Sequence, residues 1–102
     1  FDEIAGVGGY TRAYVGGQVG RASESPTVSA VGYNSLLTGT WANKHKVYSN
    51  QIRNPDYQYW DIFRAVKQHD PELKTAIFST WEDNRTKLLG HGLPEAGGDK
   101  LD

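Results

Sequence analysis

Cysteine and methionine are both absent from the sequence, which begins at Phe1. Without cysteine the chain forms no disulfide and uses no thiolate chemistry, and its redox compartment cannot be inferred. Its apolar runs fall far short of the ~18 residues that would indicate a membrane span, and no basic start precedes an apolar stretch as in a signal peptide. Phe1 in place of an initiator Met leads us to expect a processed product or a piece of a longer protein.

The chain also lacks a charge of one sign. Eleven basic and 12 acidic residues give a net charge of −1 at pH 7, so we expect no nucleic acid polymer as a partner. The 37% hydrophobic content with 12 Gly is ordinary for a globular protein. A length of 102 residues predicts one small domain over residues 1–102.

Four segments carry signals strong enough to predict secondary structure. They are a helix from Ala30 to Thr38 that ends at Gly39, an amphipathic helix from Tyr59 to His69, a buried strand from Lys74 to Thr80, and a short helix from Asp83 or Asn84 to Gly90. Helix, strand and helix in this order predict a partial α/β layered domain. Residues 91–102 are loop-like, and we expect a loop or mobile tail there.

A basic stretch interrupts this nearly neutral chain. No acidic residue occurs from Ser29 to Arg53, whereas Lys44, Lys46 and Arg53 give a local charge of +3. This composition indicates an anionic ligand, although a solvated basic loop accounts for it equally well.

Ser29 is predicted to lie near the N-terminus of the first of these helices. Unpaired backbone N–H groups and the helix dipole favour a phosphoryl group at such a position. The dipole alone leaves a serine hydroxyl far from its ionised form, so a metal or a base would have to activate it. The alternative is that Ser29 or Thr27 is simply the N-cap.

Other known arrangements around a reactive serine do not fit. Ser29 has no glycines at the positions that a G-x-S-x-G elbow requires. The three histidines, His45, His69 and His91, are widely spaced and form no local zinc-binding pair.

The stretch from Pro26 to Gly39, followed by Trp41 to His45, resembles the nucleophile region of type I phosphodiesterases. These enzymes are the nucleotide pyrophosphatase/phosphodiesterase branch of the alkaline phosphatase superfamily. Their pattern is P-T-x-T/S, then T-G, then H-G-I/V, closing on an Asn. A softer resemblance covers nearly all of the chain and implies a fragment of an alkaline-phosphatase-like three-layer α/β sandwich, with short strands and two to three helices.

The resemblance assigns roles to several residues of this chain. Ser29 falls on the nucleophile, which also contacts the metals, and Asn50 falls on the Asn that contacts a non-bridging phosphoryl oxygen. His45 falls on the H of the pattern. Independently of the resemblance, Lys44 or Lys46 from the basic stretch would steer an anionic phosphate ester substrate.

Two departures qualify the resemblance. Lys46 stands where the family usually has Gly, which leaves the conformation of this loop open. Val31 and Tyr33 stand where sulfatases have the Pro and Arg that follow their nucleophile, so a formylglycine sulfatase is not expected.

The resemblance implies two divalent metal ions of the zinc type. Their Asp and His ligands would lie before Phe1 and after Asp102, so we expect no metal site in this chain besides the Ser29 hydroxyl. The ions would lower the pKa of the serine and neutralise developing charge. The family resemblance also implies an extracytoplasmic location.

These observations lead to two hypotheses. In the first, the chain is the nucleophile-bearing segment of a metal-dependent phosphoric ester hydrolase. In the second, it is a catalytically inactive truncated α/β module that binds an anion or a protein. In either case a parallel sheet without neighbours would expose unpaired edges, so we expect marginal stability, self-association, or docking to the remainder of the parent chain.

Overall fold

A computed structural model describes residues 1–102. It contains only helical elements, joined by turns and extended segments: α1 (Asp2–Val7), α2 (Ser29–Thr38), α3 (Ala42–His45), α4 (Ile62–His69), a π-helical turn (Asn84–Leu88) and a 3₁₀ turn (Pro94–Ala96). No β-strand is present. The predicted α/β class, and with it the three-layer sandwich fragment, is therefore wrong.

The predicted strand fails because it has no partner. The segment from Lys74 to Thr80 is not helical, but its only backbone hydrogen bond to another segment runs from the Asp102 N–H to the Thr75 carbonyl at 2.9 Å. A β-ladder needs repeated bonds of this kind to a neighbouring strand. The apolar, β-prone composition of this segment favours a strand locally. A strand also needs a second strand to pair with, and composition cannot predict one.

Helix α2 confirms the sequence prediction closely. It ends at Gly39, which adopts the left-handed conformation (φ 66°) that terminates many helices. Its inner face supplies Ala30 and Val31 to a small core. The other core residues are Ala42, Val47 and Leu88, with Leu37, Ile52 and Trp81 packed against them.

Helix α4 begins later than the apolar periodicity predicts. Asp61 is its N-cap, and the Oδ1 atom accepts a hydrogen bond from the Arg64 N–H at 2.9 Å. None of its residues is fully buried, and Ile62 is 58% exposed. The apolar face of α4 therefore has no sheet beneath it.

A closely packed contact joins the π-helical turn to the preceding loop. Gly90 has φ 60°, and a Cβ there would lie within 2.9 Å of the Tyr57 ring and of Ala96. The Tyr57 hydroxyl donates to the Lys87 carbonyl at 2.5 Å. Burial, with a smaller contribution from Glu95, raises the pKa of Tyr57.

The last twelve residues are attached to α4 by a buried ion pair. The Lys100 side chain is 1% exposed, and its Nζ donates to Asp61 Oδ2 and to the Ala96 carbonyl, the latter at 2.7 Å. Since Asp61 also caps α4, one carboxylate holds both the start of the helix and the chain end in place. The loop or mobile tail predicted for residues 91–102 thus includes a 3₁₀ turn and a buried lysine; its mobility stays a prediction.

A second, more exposed cluster joins the non-helical segment from Lys74 to Thr80 to the same helix. Lys67 Nζ donates to Asp102 Oδ2 and to the Leu73 carbonyl, both at 2.6 Å, and the Thr75 N–H donates to Asp102 Oδ2 at 2.8 Å. The hydrogen bond from Lys67, with that from the Thr75 backbone, lowers the pKa of Asp102 to about 2.

The radius of gyration is 14.6 Å, against about 13 Å for a typical domain of this length. The excess reflects residues 1–28, where only Gly17 is buried. None of the helices has the length and apolar character needed to cross a lipid bilayer.

We expect Lys100→Met to lower the free energy of unfolding by about 3 kcal/mol, because it leaves the Asp61 carboxylate buried without its cation. Lys74→Met is the matched control: the Lys74 side chain is 81% exposed and its ammonium lies 3.6 Å from Asp102 Oδ1, so we expect a change below about 1 kcal/mol. Urea denaturation measures both. Equal effects in the two variants would show that the Lys100 pair does not hold the chain end.

Candidate anion site at the start of helix α2

Ser29 is the first residue of α2, and its side chain is exposed. The N-cap is Val28, with extended backbone (φ −80°, ψ 163°) and no capping hydrogen bond from its own side chain. Neither Ser29 nor Thr27 therefore caps this helix, and the simple capping role considered from the sequence is wrong. The Ser29 hydroxyl makes no hydrogen bond within the chain, which leaves it free for chemistry or for a ligand.

Asn50 supplies the missing capping contact from the far end of the following loop. Its Oδ1 accepts a hydrogen bond from the Ala30 N–H at 2.8 Å. Because the oxygen is used in this way, the Asn50 Nδ2 group is left as a free donor beside the helix start. The structure thus brings together Ser29 and Asn50, the two residues to which the resemblance assigns catalytic roles.

Further donors converge on the same point. The backbone N–H groups of Ser29 and Val31 have no hydrogen-bond partner in the chain, as is usual in the first turn of a helix. No acidic residue occurs in the first turn. Unpaired N–H groups, the helix dipole and the Asn50 amide all favour an anion at this position.

His45 fixes the loop that carries Asn50. The side chain is fully buried, its Nε2 lies 3.0 Å from Ser35 Oγ on α2, and its Nδ1 accepts a hydrogen bond from the Val47 N–H at 3.1 Å. Its carbonyl accepts a further bond from the Asp56 N–H at 2.9 Å. The imidazole thereby ties α2 to α3 and to the chain that runs on to Asn50.

The contact between His45 and Ser35 is structural rather than a catalytic dyad. Because Nδ1 accepts from the Val47 N–H, the neutral ring carries its proton on Nε2 and donates it to Ser35 Oγ. A ring in this tautomer cannot take a proton from that serine. Burial lowers the pKa of His45 to about 4, which keeps the imidazole neutral above that pH.

The two lysines assigned to substrate steering lie on and after α3. The side chains of Lys44 and Lys46 are exposed and make no hydrogen bond or ion pair within the chain. Lys46 is the C-cap of α3 and adopts the left-handed conformation, with φ 65° and ψ 18°. Glycine adopts this conformation without a steric penalty, whereas a lysine pays on the order of 1 kcal/mol. The position where the resembled family has Gly is thus one where the backbone favours Gly.

The residues of this chain do not form the two-metal site that the resemblance implies. No group of three or more His, Asp or Glu side chains lies together in a way that could hold a metal ion. Around Ser29 itself, no carboxylate occurs from residue 29 to residue 53.

Compared with known proteins, the chain matches no protein-family model, no curated protein and no solved structure.

One supporting residue was missed by sequence reasoning. Ser35 is the α2 partner of His45, and the contact crosses the turn between the two helices. The separation of ten residues between Ser35 and His45 does not predict their contact, because the contact depends on the angle between α2 and α3.

The depressed pKa of His45 predicts a specific loss of stability in acid. The folded protein keeps the ring neutral, so this contribution is present above the unfolded pKa of 6.5 and is lost as the pH falls toward 4. We expect the free energy of unfolding to fall by about 1.4 kcal/mol per pH unit across that window. Urea titrations between pH 7 and pH 4 measure this slope.

The control compares His45→Gln with His69→Gln, which alters an exposed histidine at the end of α4. His45→Gln should remove this part of the slope, and His69→Gln should retain it. A wild-type slope that is unchanged in His45→Gln would contradict the assignment.

Proposed function

We propose that this chain is the nucleophile-bearing segment of a metal-dependent phosphoric ester hydrolase of the phosphodiesterase/pyrophosphatase type. Ser29 is the nucleophile, and Asn50 with the first-turn N–H groups holds the phosphoryl oxygens. The substrate is a small-molecule phosphate ester. The observation that carries the proposal is the hydrogen bond from the Ala30 N–H to Asn50, because it brings the amide of a distant residue beside Ser29, whose hydroxyl is exposed and makes no hydrogen bond.

The donors at the helix start are suited to the charge that develops during phosphoryl transfer. Backbone N–H groups and an Asn amide stabilise anionic oxygens best when they are oriented before the substrate arrives. The hydrogen bond from the Ala30 N–H orients the Asn50 amide in advance, and the buried His45 holds the loop through its bond with the Val47 N–H. The exposed side chains of Lys44 and Lys46 add a local positive field that attracts an anionic ester.

The proposed chemistry has two steps. The Ser29 Oγ attacks phosphorus in line, an Oγ–P bond forms, the bond to the leaving oxygen breaks, and the alcohol or phosphate product departs. Water then attacks the phosphoserine, and the Oγ–P bond breaks to regenerate the hydroxyl. The chain holds and orients the phosphoryl group, whereas deprotonation of Ser29 requires groups that it does not supply.

A non-catalytic helical module that binds an anion or a protein is the second candidate function. It is favoured by the state of His45, the first histidine that follows Ser29 in the sequence. The imidazole is buried and both of its nitrogens are engaged by Ser35 and Val47, so it cannot serve as the base for Ser29. In this case the same donors bind a phosphate group and no turnover follows.

Enzyme kinetics separate the two candidate functions. The protein to assay is the longer one that is expressed when the coding sequence on either side of this chain is included. Hydrolysis of nitrophenyl phosphate mono- and diesters is measured with added zinc. We expect Ser29→Ala to reduce kcat to background and Asn50→Ala to reduce it by about 10²- to 10³-fold, as for loss of one oxyanion donor. Mass spectrometry of acid-quenched turnover should find the phosphoryl group on Ser29.

Matched controls are available in the same region. Ser23→Ala and Asn43→Ala remove a serine and an asparagine outside the site, and we expect kcat within a factor of two of the parent, roughly the scatter of uncoupled surface changes. Unchanged turnover in Ser29→Ala would eliminate the proposed nucleophile. A parent protein that binds phosphate but hydrolyses none of the esters would favour the binding module.

A further inference from the structure

The loop that carries Asn50 has few polar attachments to the rest of the protein. Residues 47–55 make no backbone–backbone hydrogen bond. At one end of the loop, the Val47 N–H donates to His45 Nδ1 at 3.1 Å. Further along, Asn50 Oδ1 accepts from the Ala30 N–H at 2.8 Å. The other hydrogen bonds of the loop are internal and join Ser49, Gln51 and Arg53. Two hydrogen bonds therefore connect this loop to the rest of the chain.

Packing holds the middle of the loop only loosely. Val47 is buried in the core, and Ile52 packs against the same cluster. The residues between them that lead to the start of α2 are all exposed: Tyr48, Ser49 and Asn50. Segments with little burial and few backbone hydrogen bonds open at a low cost in free energy. This part of the loop can therefore detach while most of the core stays packed.

The neutral imidazole of His45 makes the first of the two attachments possible. A protonated ring carries two donors and no acceptor, so its Nδ1–H would face the Val47 N–H, donor against donor. The side chain of His45 is 0% exposed, and a buried charge without a partner is costly. The charged ring is therefore expelled from the core, and the beginning of the loop moves with it.

No charged group packed around the ring offsets this cost. Helix α2, which carries Ser35, has no charged residue. The neighbours of His45 in the chain, Lys44 and Lys46, are both cationic and exposed. Asp56 bonds to the His45 carbonyl through its N–H, while its Oδ1 accepts from the Gln58 N–H. The π-helical turn packs on α2, and its cations are paired with neighbouring carboxylates: Arg85 with Glu82, and Lys87 with Asp83. Burial thus dominates the titration of this ring.

We propose that residues 47–55 are a pH-controlled latch on the anion site, closed by the neutral ring of His45 and opened when that ring is protonated. Opening removes Asn50 from the start of α2, so the anion is released. This inference rests on the anion site proposed above.

The direction of the pH dependence follows from the burial of the ring. Burial lowers the pKa of His45 to about 4, whereas a ring expelled into solvent regains the ordinary value of 6.5. The latch is therefore closed above pH 6.5 and opens as the pH falls through the window between 6.5 and 4. The site binds its anion at neutral pH and loses it in acid.

Anion binding and protonation of His45 oppose each other through the latch. Because the anion binds only the closed form, its presence lowers the midpoint at which the ring titrates. An anion that acted through its charge alone would do the opposite, since a nearby negative charge favours the imidazolium and raises its pKa. The sign of the change therefore separates a latch from simple electrostatic attraction.

The test is an NMR titration of the His45 ring in the ¹⁵N-labelled chain, with and without sulfate, which keeps its charge across this pH range. With sulfate at ten times its Kd at neutral pH, we expect the midpoint to fall by about one pH unit. The sulfate affinity, measured from the Ser29 and Val31 amides, should fall about twofold at the sulfate-free midpoint and about tenfold one pH unit below it.

Two histidine variants serve as matched controls. In His45→Asn the side-chain oxygen can accept the N–H two residues on, as in an Asx turn, and it does not titrate. We expect this variant to keep its sulfate affinity in acid. His69→Asn removes an exposed histidine at the end of α4 and should retain the pH dependence of the wild type.

A midpoint that sulfate leaves unchanged or raises would overturn the latch and leave the anion site in place. Absence of sulfate binding at pH 7 would overturn the anion site and the latch with it. Loss of the native α4 amide signals at the same midpoint would show that the whole chain unfolds, which would also contradict a local opening. So would a His45→Asn variant that loses affinity in acid as the wild type does.

Discussion

The buried imidazole of His45 is the interaction on which the candidate site depends. It bonds to α2 through Ser35 and to the next loop through the Val47 N–H, at 3.0 and 3.1 Å. That loop then returns to the start of α2, where Asn50 contacts Ala30. A neutral ring with one donor and one acceptor satisfies both neighbours at once, whereas a charged ring would face the Val47 N–H with a second donor. The geometry around Ser29 is therefore set by a residue that has no contact with the proposed ligand.

The remainder of the fold is held by a few polar contacts around a small core. Only 13 of 102 residues are buried, so apolar burial alone is a modest source of stability for a chain of this size. The Asp61–Lys100 pair compensates by joining two distant segments inside the protein. Unfavourable features remain in the structure, among them the left-handed Lys46 and Asn54 and the unpaired backbone from residue 76 to residue 80.

Local sequence patterns predict local features such as helix ends well, but they predict contacts between distant segments poorly. The end of α2 at Gly39 follows from glycine at a left-handed position, and Ser29 lies at the helix start, where the predicted helix from Ala30 to Thr38 places it. That Asn50 lies at the helix start, bonded to the Ala30 N–H beside Ser29, was suggested only by the resemblance, since no periodicity links residues 29 and 50. The prediction of a strand at residues 74–80 was wrong, because a β-strand forms only when a neighbouring strand pairs with its backbone through hydrogen bonds. The start of α4 was misplaced because capping by Asp61 decides it, rather than the apolar face that begins at Tyr59.

The central claim is that the start of α2 binds a phosphoryl group through Asn50 and the first-turn N–H groups. Titration of the ¹⁵N-labelled chain with inorganic phosphate, followed by NMR, tests it directly. The account predicts saturable shifts of the Ser29 and Val31 amides and of the Asn50 side-chain NH₂, all of which disappear in Asn50→Ala. Shifts confined to the surface lysines, or a response that Asn50→Ala leaves intact, would contradict it.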